Sequence, residues 1–537
     1  MRVAIAQMNS VLGDFSGNKS KILQEVDRAQ EKHCDLVIFP EAALFGYHPF
    51  DLLERKDIVA KQLKALKEIE KKIPKNMAVI VGVISFNPNK KGRPYYNSAA
   101  LLQKGKRTQL FHKQLLPTGD VFDEARFIES GKMKNNFVRI NGKKILITIC
   151  EDIWAWPEKD GSSAYLENPI TQIKEKADLV VNLSASPYYP NKLKRRQELV
   201  SLTARHFRAP MVYVNMVGAQ DEIIFDGASF AVDKKGKVIL QCVKFEEDLN
   251  VLDLDKQEGG FRSQELSITD ELRQALVLGI KDFCAKTGLS KIHLGLSGGI
   301  DSALVACLAV DALGPSKVTA VAMPGPFTSP KSTSLAKTLA KNLGVRFIEL
   351  PIQAGYETLK KELDACFKLT EFSLVHENLQ ARLRGLSLMA FSNNEHSLLL
   401  STSNKSELAT GYSTLYGDMC GGLAPIADLT KADVYKLSQA YNESVEIIPV
   451  EILKRAPTAE LRANQKDQDS LPEYDLLDKS VVDIVEKCRV AKTKTDHWLL
   501  PVLLRTEFKR WQSAPILKIS RHSFGRGRRY PIAYKFS

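Results

Sequence analysis

Three polar residues stand just after apolar runs in the first half of this chain. Glu41 follows LVIFP, Lys113 follows TQLFH and Cys150 follows KKILITI. A thiol attacks as the thiolate, so it needs a proton acceptor, and attack on an amide needs positive charge where the oxyanion develops. Glutamate, cysteine and lysine at strand ends supply those three parts. In the second half, GLSGGIDS (residues 295–302) lies between an apolar run and a helical stretch. Gly298 and Gly299 permit a tight turn whose N–H groups point into one concavity, and the next helix adds its N-terminus, which makes an anion site. Ser297 and Ser302 add hydroxyl donors. The loop has no lysine, so it is not a Walker loop. Asp301 beside a phosphate would repel it unless a divalent cation stood between them, which implies Mg²⁺. Taken singly, Cys150 reads as a small buried hydrophobe, Lys113 as a surface charge and Glu41 as a cap.

Rigid elements must hold these groups. In residues 1–250, strands are predicted at Val3–Gln7, Leu36–Phe39, Ala78–Ser85, Ser98–Leu102, Lys144–Ile149, Leu179–Leu183 and Met211–Asn215. Helices are predicted at Lys19–Lys32 and Ile58–Lys72. In the second half, helix Glu271–Thr287 leads to strand Ile292–Leu296, the loop and helix Ala303–Leu313. Strand Val318–Met323, helix Lys331–Leu343, strand Arg346–Leu350, helix Asn378–Phe391 and strand Ser397–Ser401 follow. Such alternation implies a doubly wound parallel sheet with its ligand at the C-terminal strand ends. With 537 residues the chain exceeds one core, so two domains are expected, 1–255 and 266–537. The polar stretch 255–265, DKQEGGFRSQE, reads as the linker between them. Glu460–Pro472 reads as a polar loop too hydrophilic for a core.

The segments FPE, HKQLLP with VFDE behind it, and CEDIW resemble the nitrilase (carbon–nitrogen hydrolase) superfamily in order and spacing. That resemblance covers most of residues 1–250 and implies an α-β-β-α sandwich, with Glu41 as proton acceptor, Lys113 as stabilising lysine and Cys150 as nucleophile. SGGxDS between strand and helix resembles the pyrophosphate loop of the ATP pyrophosphatases. With ENLQARLRG, STSNKSELATGYSTLYGD, ADLTKADVY, RAPTAEL and the tail EFKRWQSAPILKISRHSFGRGRRYPI, the whole chain resembles the glutamine-dependent NAD synthetases. The resemblance implies a ligase that takes ammonia from L-glutamine, passes it between two sites and amidates deamido-NAD at the expense of ATP, with Mg²⁺. Ser186, Lys192 and Glu124 would hold glutamine, Glu124 in a positioning role. Gly295, Leu296, Ser297, Gly298, Gly299, Ile300, Asp301 and Ser302, with Thr402, Lys431 and Thr458, would bind ATP. Asn378, Arg382, Glu407 and Lys509 would bind deamido-NAD, and Asp301 and Glu407 would face the metal. Arg382 and Arg384 are expected near the start of their helix. A homo-oligomer is also implied. Where family members carry LP-x-Tyr-Gly-Val-Phe, this chain has Leu116-Pro117-Thr118-Gly119-Asp120-Val121-Phe122, so the aromatic of the glutamine pocket is replaced by Gly119. Tyr188 and Tyr189 are the candidates to fill its place.

The balance of the sequence narrows the alternatives. Hydrophobic residues make up 44% and charged residues 26%, an ordinary globular composition. No apolar run approaches the ~18–20 residues of a spanning helix, and the N-terminus reads as a strand, not a leader. Eight cysteines are scattered without a CxxC pair, so neither a disulfide framework nor a zinc site is expected, and a cytoplasmic enzyme is. The same loop type serves enzymes that adenylate other acids, nucleotides or tRNA bases, but the zinc-type cluster or RNA-binding module of a tRNA-modifying member is not seen. The net charge of +13 is concentrated: Arg505–Ser537 holds nine basic residues against Glu507, or +8. Ile516, Ile519, Phe524, Tyr530, Ile532, Tyr534 and Phe536 are interleaved with that charge. A tail of this kind docks on a surface, and its charge suits small polyanionic substrates, not a nucleic acid.

Overall fold

The apolar runs of the first half are rich in β-branched residues and build two stacked sheets. The computed structural model describes residues 1–158, 160–262 and 265–533, in two compact units, Met1–Glu265 and Leu266–Ser537. In the first unit a seven-stranded sheet runs, in spatial order, Glu258–Gly259, Asp248–Asp253, Arg2–Gln7, Leu36–Ile38, Ala78–Phe86, Tyr95–Gln103 and Gln109–His112. A six-stranded sheet runs Val238–Gln241, Phe230–Val232, Met211–Asn215, Leu179–Ser184, Lys143–Ile149 and Phe137–Ile140. Side chains such as Ile5, Ile38, Ile147 and Val181 fill the space between the sheets.

Helices cover the two outer faces. Phe15–Glu31 starts at Asp14, whose carboxylate accepts the Gly17 N–H at 2.8 Å, and it buries Ile22, Val26 and Ala29. Their spacing of four and three residues puts them on one stripe, which packs with Leu66 and Ile69 of the helix Lys56–Lys72 on the first sheet. Lys192–Phe207 packs Leu199, Val200 and Ala204 on the second sheet. The layers are therefore α-β-β-α.

The second unit has a four-stranded parallel sheet in the order Arg346–Glu349, Val318–Ala322, Ile292–Gly295, Leu398–Leu400. Helix Ile300–Leu313 is apolar nearly all round and is buried, as expected for a helix enclosed by its neighbours. Helix Gln353–Phe367, absent from the sequence-based assignment, has one buried residue, Tyr356, and so little apolar periodicity to betray it. Among the described residues no helix is long and apolar enough to cross a membrane.

Three expectations are corrected. The stretch 255–265 is not simply a linker: Glu258–Gly259 pairs with Leu252 and Asp253 as an edge strand, and the Arg262 N–H bonds to the Gln241 carbonyl. Ser263 and Gln264 lie outside the described residues. Arg382 and Arg384 stand well inside the helix Leu374–Glu395, not near its start. Within Glu460–Pro472, Gln465 and Asp467 are buried, because Asp467 accepts the Tyr474 hydroxyl at 2.8 Å and the Gln465 carbonyl accepts that of Thr458 at 2.6 Å.

The basic tail packs into the second unit. Ile516, Ile519 and Phe524 are buried, as are Arg510 and Lys518. The buried Lys405 ammonium contacts Asp428 (2.8 Å) and Glu486 (2.6 Å) and donates to the Ser520 hydroxyl and the His522 carbonyl. Asp428 also accepts the backbone N–H groups of Ile519 and Ser520. Tyr534, Lys535 and Phe536 lie outside the described residues.

Candidate active sites

The first site is built at the ends of strands from both sheets. Glu41 follows Leu36–Ile38 and reaches its place through Pro40–Ala42, which crosses Gly82 of the strand Ala78–Phe86. A Cβ at Gly82 would lie 2.2 Å from the Pro40 carbonyl oxygen and 2.3 Å from the Ala42 nitrogen, so only glycine fits. Lys113 follows the edge strand Gln109–His112. Its Nζ donates to Glu41 Oε1 at 2.7 Å and to Glu124 Oε1 at 2.6 Å, and neither Lys113 nor Glu41 has any side-chain exposure. Cys150 ends the strand Lys143–Ile149 with a φ of +42°, a left-handed value that costs a non-glycine residue about 1–3 kcal/mol. Residues held this way cluster at functional sites.

The remaining lone pairs are satisfied by groups that the sequence reading missed. Asn97 Nδ2 donates to Glu41 Oε1 at 2.7 Å, the Ala185 N–H donates to Glu41 Oε2 at 2.9 Å, and the Tyr47 hydroxyl donates to Glu124 Oε1 at 2.8 Å. These residues come from strands and loops distant in sequence, and no local pattern marks them. Burial works against the Lys113 ammonium, yet Glu124 and Glu41 outweigh it and hold its pKa well above the usual lysine value. The two carboxylates separate. Burial pushes Glu41 up even with Lys113 beside it, whereas in Glu124 the same burial is overcome by Lys113, His48 and Tyr47, and its pKa is lowered. Cys150 is pushed well above the ordinary thiol value by burial and then by the Glu41 charge. The resting site is thus a thiol beside a carboxylate with an unusual appetite for a proton.

Ser186 directly follows Ala185, whose N–H reaches Glu41, and its own N–H donates to the Asn215 side chain at 2.9 Å. Arg196, fully buried, pairs with Asp226 at 2.7 Å and donates to the carbonyls of Ser186 and Pro187. Lys192 opens its helix with the ammonium 4.9 Å from the Tyr189 ring and 5.5 Å from that of Trp154. Gly119 has a φ of +120° and open space where a Cβ would go. Tyr188 packs on Phe245, ring to ring at 5.3 Å, and of the two tyrosines it is Tyr189 that stands beside Lys192.

The second site is a cleft at the C-terminal ends of the parallel strands. Gly295, Leu296, Ser297, Gly298, Gly299, Ile300, Asp301 and Ser302 line it, with Thr402, Glu407, Lys431 and Thr458. The helix Ile300–Leu313 begins at Gly299 with no side-chain cap, which leaves its first N–H groups for a ligand. Gly298, at φ +81°, passes so close to Ser332 that a Cβ would sit 2.3 Å from its carbonyl oxygen. Lys431 Nζ lies 2.5 Å from Asp301 and 3.7 Å from Glu407, and Asn404 Nδ2 donates to Asp301 at 2.9 Å. Burial, and then the Asp301 charge, push Glu407 up to about 8. Arg384, Arg455 and Asp467 also line the cleft and were not singled out for it; a mid-helix arginine and an acid in a polar loop read as solvated surface.

Asn378, Arg382 and Lys509 do not line that cleft; all three hold the loop after Gly411. Asn378 accepts the Thr414 hydroxyl at 2.8 Å, Arg382 donates to the Leu415 carbonyl, and Lys509 donates to the Gly411 and Ser413 carbonyls at 2.8 and 2.7 Å. Burial lowers the Lys509 pKa, against the pull of Asp418.

Known proteins share this plan. The carbon-nitrogen hydrolase family model matches residues 2–262 and the NAD synthase family model residues 272–512. A glutamine-dependent NAD(+) synthetase of Synechocystis sp. is 43% identical over 551 residues, covering 99% of each chain. One from Thermotoga maritima is 37% identical, covering 100% of this chain and 99% of its own. The solved structure of the Acinetobacter baumannii synthetase in complex with ADP is 34% identical, with a TM-score of 0.77 over 99% of this chain and 98% of that one. The Cytophaga hutchinsonii synthetase, 21% identical, shares the fold with a TM-score of 0.81 over 99% and 97% of the two chains. By its sequence from end to end, and by the fold of both units, this chain belongs to the glutamine-dependent NAD(+) synthetases.

Proposed function

We propose that this chain hydrolyses L-glutamine in its first unit and uses the ammonia in its second to convert deamido-NAD to NAD⁺, with ATP giving AMP and pyrophosphate. The observation that carries the reading is the presence in one chain of a buried Glu41–Lys113 pair beside Cys150 and a glycine loop at an uncapped helix N-terminus. The reading assigns the enzyme to the cytoplasm and to a homo-oligomer.

In the first unit Glu41 takes the Cys150 proton, which its raised pKa favours, and the sulfur attacks the side-chain amide of glutamine. Lys113 holds the oxyanion, and Glu124 keeps Lys113 charged and in place. Glu41 returns the proton to the departing ammonia, and water then cleaves the thioester to glutamate. Ser186 and Lys192 hold the substrate's α-substituents. Ammonia is mostly ammonium near neutral pH and is then no nucleophile, which favours its passage to the second site without release.

In the second unit the carboxylate of deamido-NAD attacks the α-phosphate of ATP, and ammonia displaces AMP from the adenylate. The N–H groups of the 295–302 loop, Thr402, Lys431 and Thr458 hold the phosphates and adenosine; ADP in the A. baumannii relative supports a nucleotide here. Asn378, Arg382 and Lys509 shape the loop that receives deamido-NAD. Mg²⁺ typically takes one or two carboxylates and completes its shell with phosphate and water. Asp301 and Glu407 fit that donor set: both are hard oxygen donors beside Lys431, and Glu407, raised to about 8, holds a proton that a cation would displace. No set of three protein ligands is found among the described residues, so the ion would arrive with ATP. When bound, it supplies positive charge to the phosphates as they separate.

The test is one assay with glutamine, ATP and deamido-NAD, following glutamate and NAD⁺ together. Both products are expected, with a ratio near one if ammonia is passed on directly. Pyrophosphate release that needs a different acid acceptor would overturn the reading.

A further inference from the structure

Asp152 is a fully buried carboxylate that the amide chemistry does not use. Its Oδ1 accepts the backbone N–H groups of Gln114 at 2.9 Å and Leu115 at 3.0 Å, and its Oδ2 accepts that of Ile149 at 2.9 Å. Gln114 directly follows Lys113, and Ile149 directly precedes Cys150. The strand leading to Lys113 is an edge of the seven-stranded sheet, and the strand leading to Cys150 belongs to the six-stranded one. No ladder hydrogen bond joins those two strands, so their ends must be brought into register by something else.

We infer that Asp152 is a positioning residue, a clamp between the two sheets that sets the Lys113 ammonium against the Cys150 sulfur. The inference rests on the glutamine-hydrolysing reading of this site. A carboxylate suits the task because it only accepts, offers two oxygens and bonds N–H groups more strongly than a neutral acceptor does. Its place also matters. Cys150 sits at a left-handed φ, a conformation that persists only where its surroundings enforce it, and the bond to the Ile149 N–H holds the residue before it. Burial raises the Asp152 pKa, but the three N–H groups oppose that and leave it at about 6, so the acceptor is ionised at neutral pH.

Asparagine is nearly the same size but has one oxygen. Asp152→Asn can keep Gln114 and Leu115 only by turning its NH₂ toward the Ile149 N–H, which frees the cysteine side of the clamp. In the full-length D152N protein, kcat for glutamate release is expected to fall roughly 10- to 100-fold, the cost of a misplacement of about 1 Å. The KM for glutamine should stay within about two-fold of wild type, because the residues that hold the substrate are untouched. NAD⁺ formation from added ammonium salt should be unchanged. A wild-type kcat, or a KM that rises as far as kcat falls, overturns the clamp. If D152N does not fold, hydrogen exchange on the wild-type protein decides. The Gln114 and Leu115 amides lie outside any strand or helix, yet should exchange as slowly as those of the neighbouring strands, and exchange at open-loop rates refutes the clamp. A wild-type enzyme that released no glutamate would instead overturn the functional reading, whatever the exchange rates.

Discussion

Both units place one lysine between two carboxylates, and they do so to opposite ends. Lys113 lies 2.7 and 2.6 Å from Glu41 and Glu124, with side-chain exposures of 0–3% throughout. Asn97, Tyr47 and the Ala185 N–H take up further lone pairs of those carboxylates. Lys431 lies 2.5 and 3.7 Å from Asp301 and Glu407, whose side chains keep 18% and 19% exposure. The first triad is closed on itself, and its carboxylates can be biased for proton transfer because no ligand charge is needed to complete them. The second is open, and Glu407 holds a proton that it can give up, which suits a site finished by a nucleotide and its cation. A shared residue set thus does different work according to what is left for the ligand to satisfy.

Cutting the chemistry at one site should separate the two most sharply. Cys150→Ala is expected to lower glutamine-driven NAD⁺ formation by roughly 10⁴-fold, with ammonium-driven formation intact. Equal loss of both would mean that the division of labour between the units is wrong. Removing the central lysines tests closed against open. Lys113→Met leaves two carboxylates buried together and should cost the first unit about 3–5 kcal/mol. Lys431→Met should cost the second about 1–3 kcal/mol, because Asp301 and Glu407 reach water and Glu407 can hold its proton. Urea unfolding of both variants checks this, and equal losses would erase the distinction.

The close backbone approaches sharpen it further. Gly82→Ala pushes on the Glu41 turn and should reduce glutamate release alone, by roughly 10²-fold. Gly298→Ala pushes on Ser332 and should reduce NAD⁺ formation from either nitrogen donor by a similar factor. Steady-state rates with glutamine and with ammonium read both. The smallest effect concerns acid. Burial, opposed by Glu124, lowers the His48 pKa from 6.5 to about 4. Between those values the unfolded chain binds the proton and the folded one does not, so stability rises with pH across the window. The first unit should therefore lose on the order of 2 kcal/mol as pH falls from 6.5 to 4, and His48→Phe should flatten that slope in thermal unfolding.

Much of the plan is legible in the sequence because its signals are local. Glu41, Lys113 and Cys150 each end a strand, and a strand end aims a side chain without help from distant residues. The 295–302 loop is likewise a contiguous strand–turn–helix. The residues that finish each site are different. Asn97 and Tyr47 are polar residues among apolar neighbours, and only the packing of strands far apart in sequence turns them onto Glu41 and Glu124. Arg384 and Asp467 read as solvated because nothing near them in the chain announces the cleft that they line. The edge strand Glu258–Gly259 was hidden by its polar composition, since an edge pairs through backbone groups that any side chain permits.

The contacts around Lys405 set an order of assembly. This ammonium sits at the start of the short helix that carries Glu407, and its partners include Ser520 and His522, residues made 115 and 117 positions after it. Until they arrive, a buried charge lacks part of its shell and the helix lacks its backing. The partners that hold Glu41, Lys113 and Glu124 all lie within the first unit, so that site can be complete while the ribosome is still translating the second. A chain released before Ser520 would therefore have its glutamine-hydrolysing unit whole and its ATP-consuming unit unfinished. The enzyme's capacity to spend ATP thus waits on residues translated long after the helix that they back.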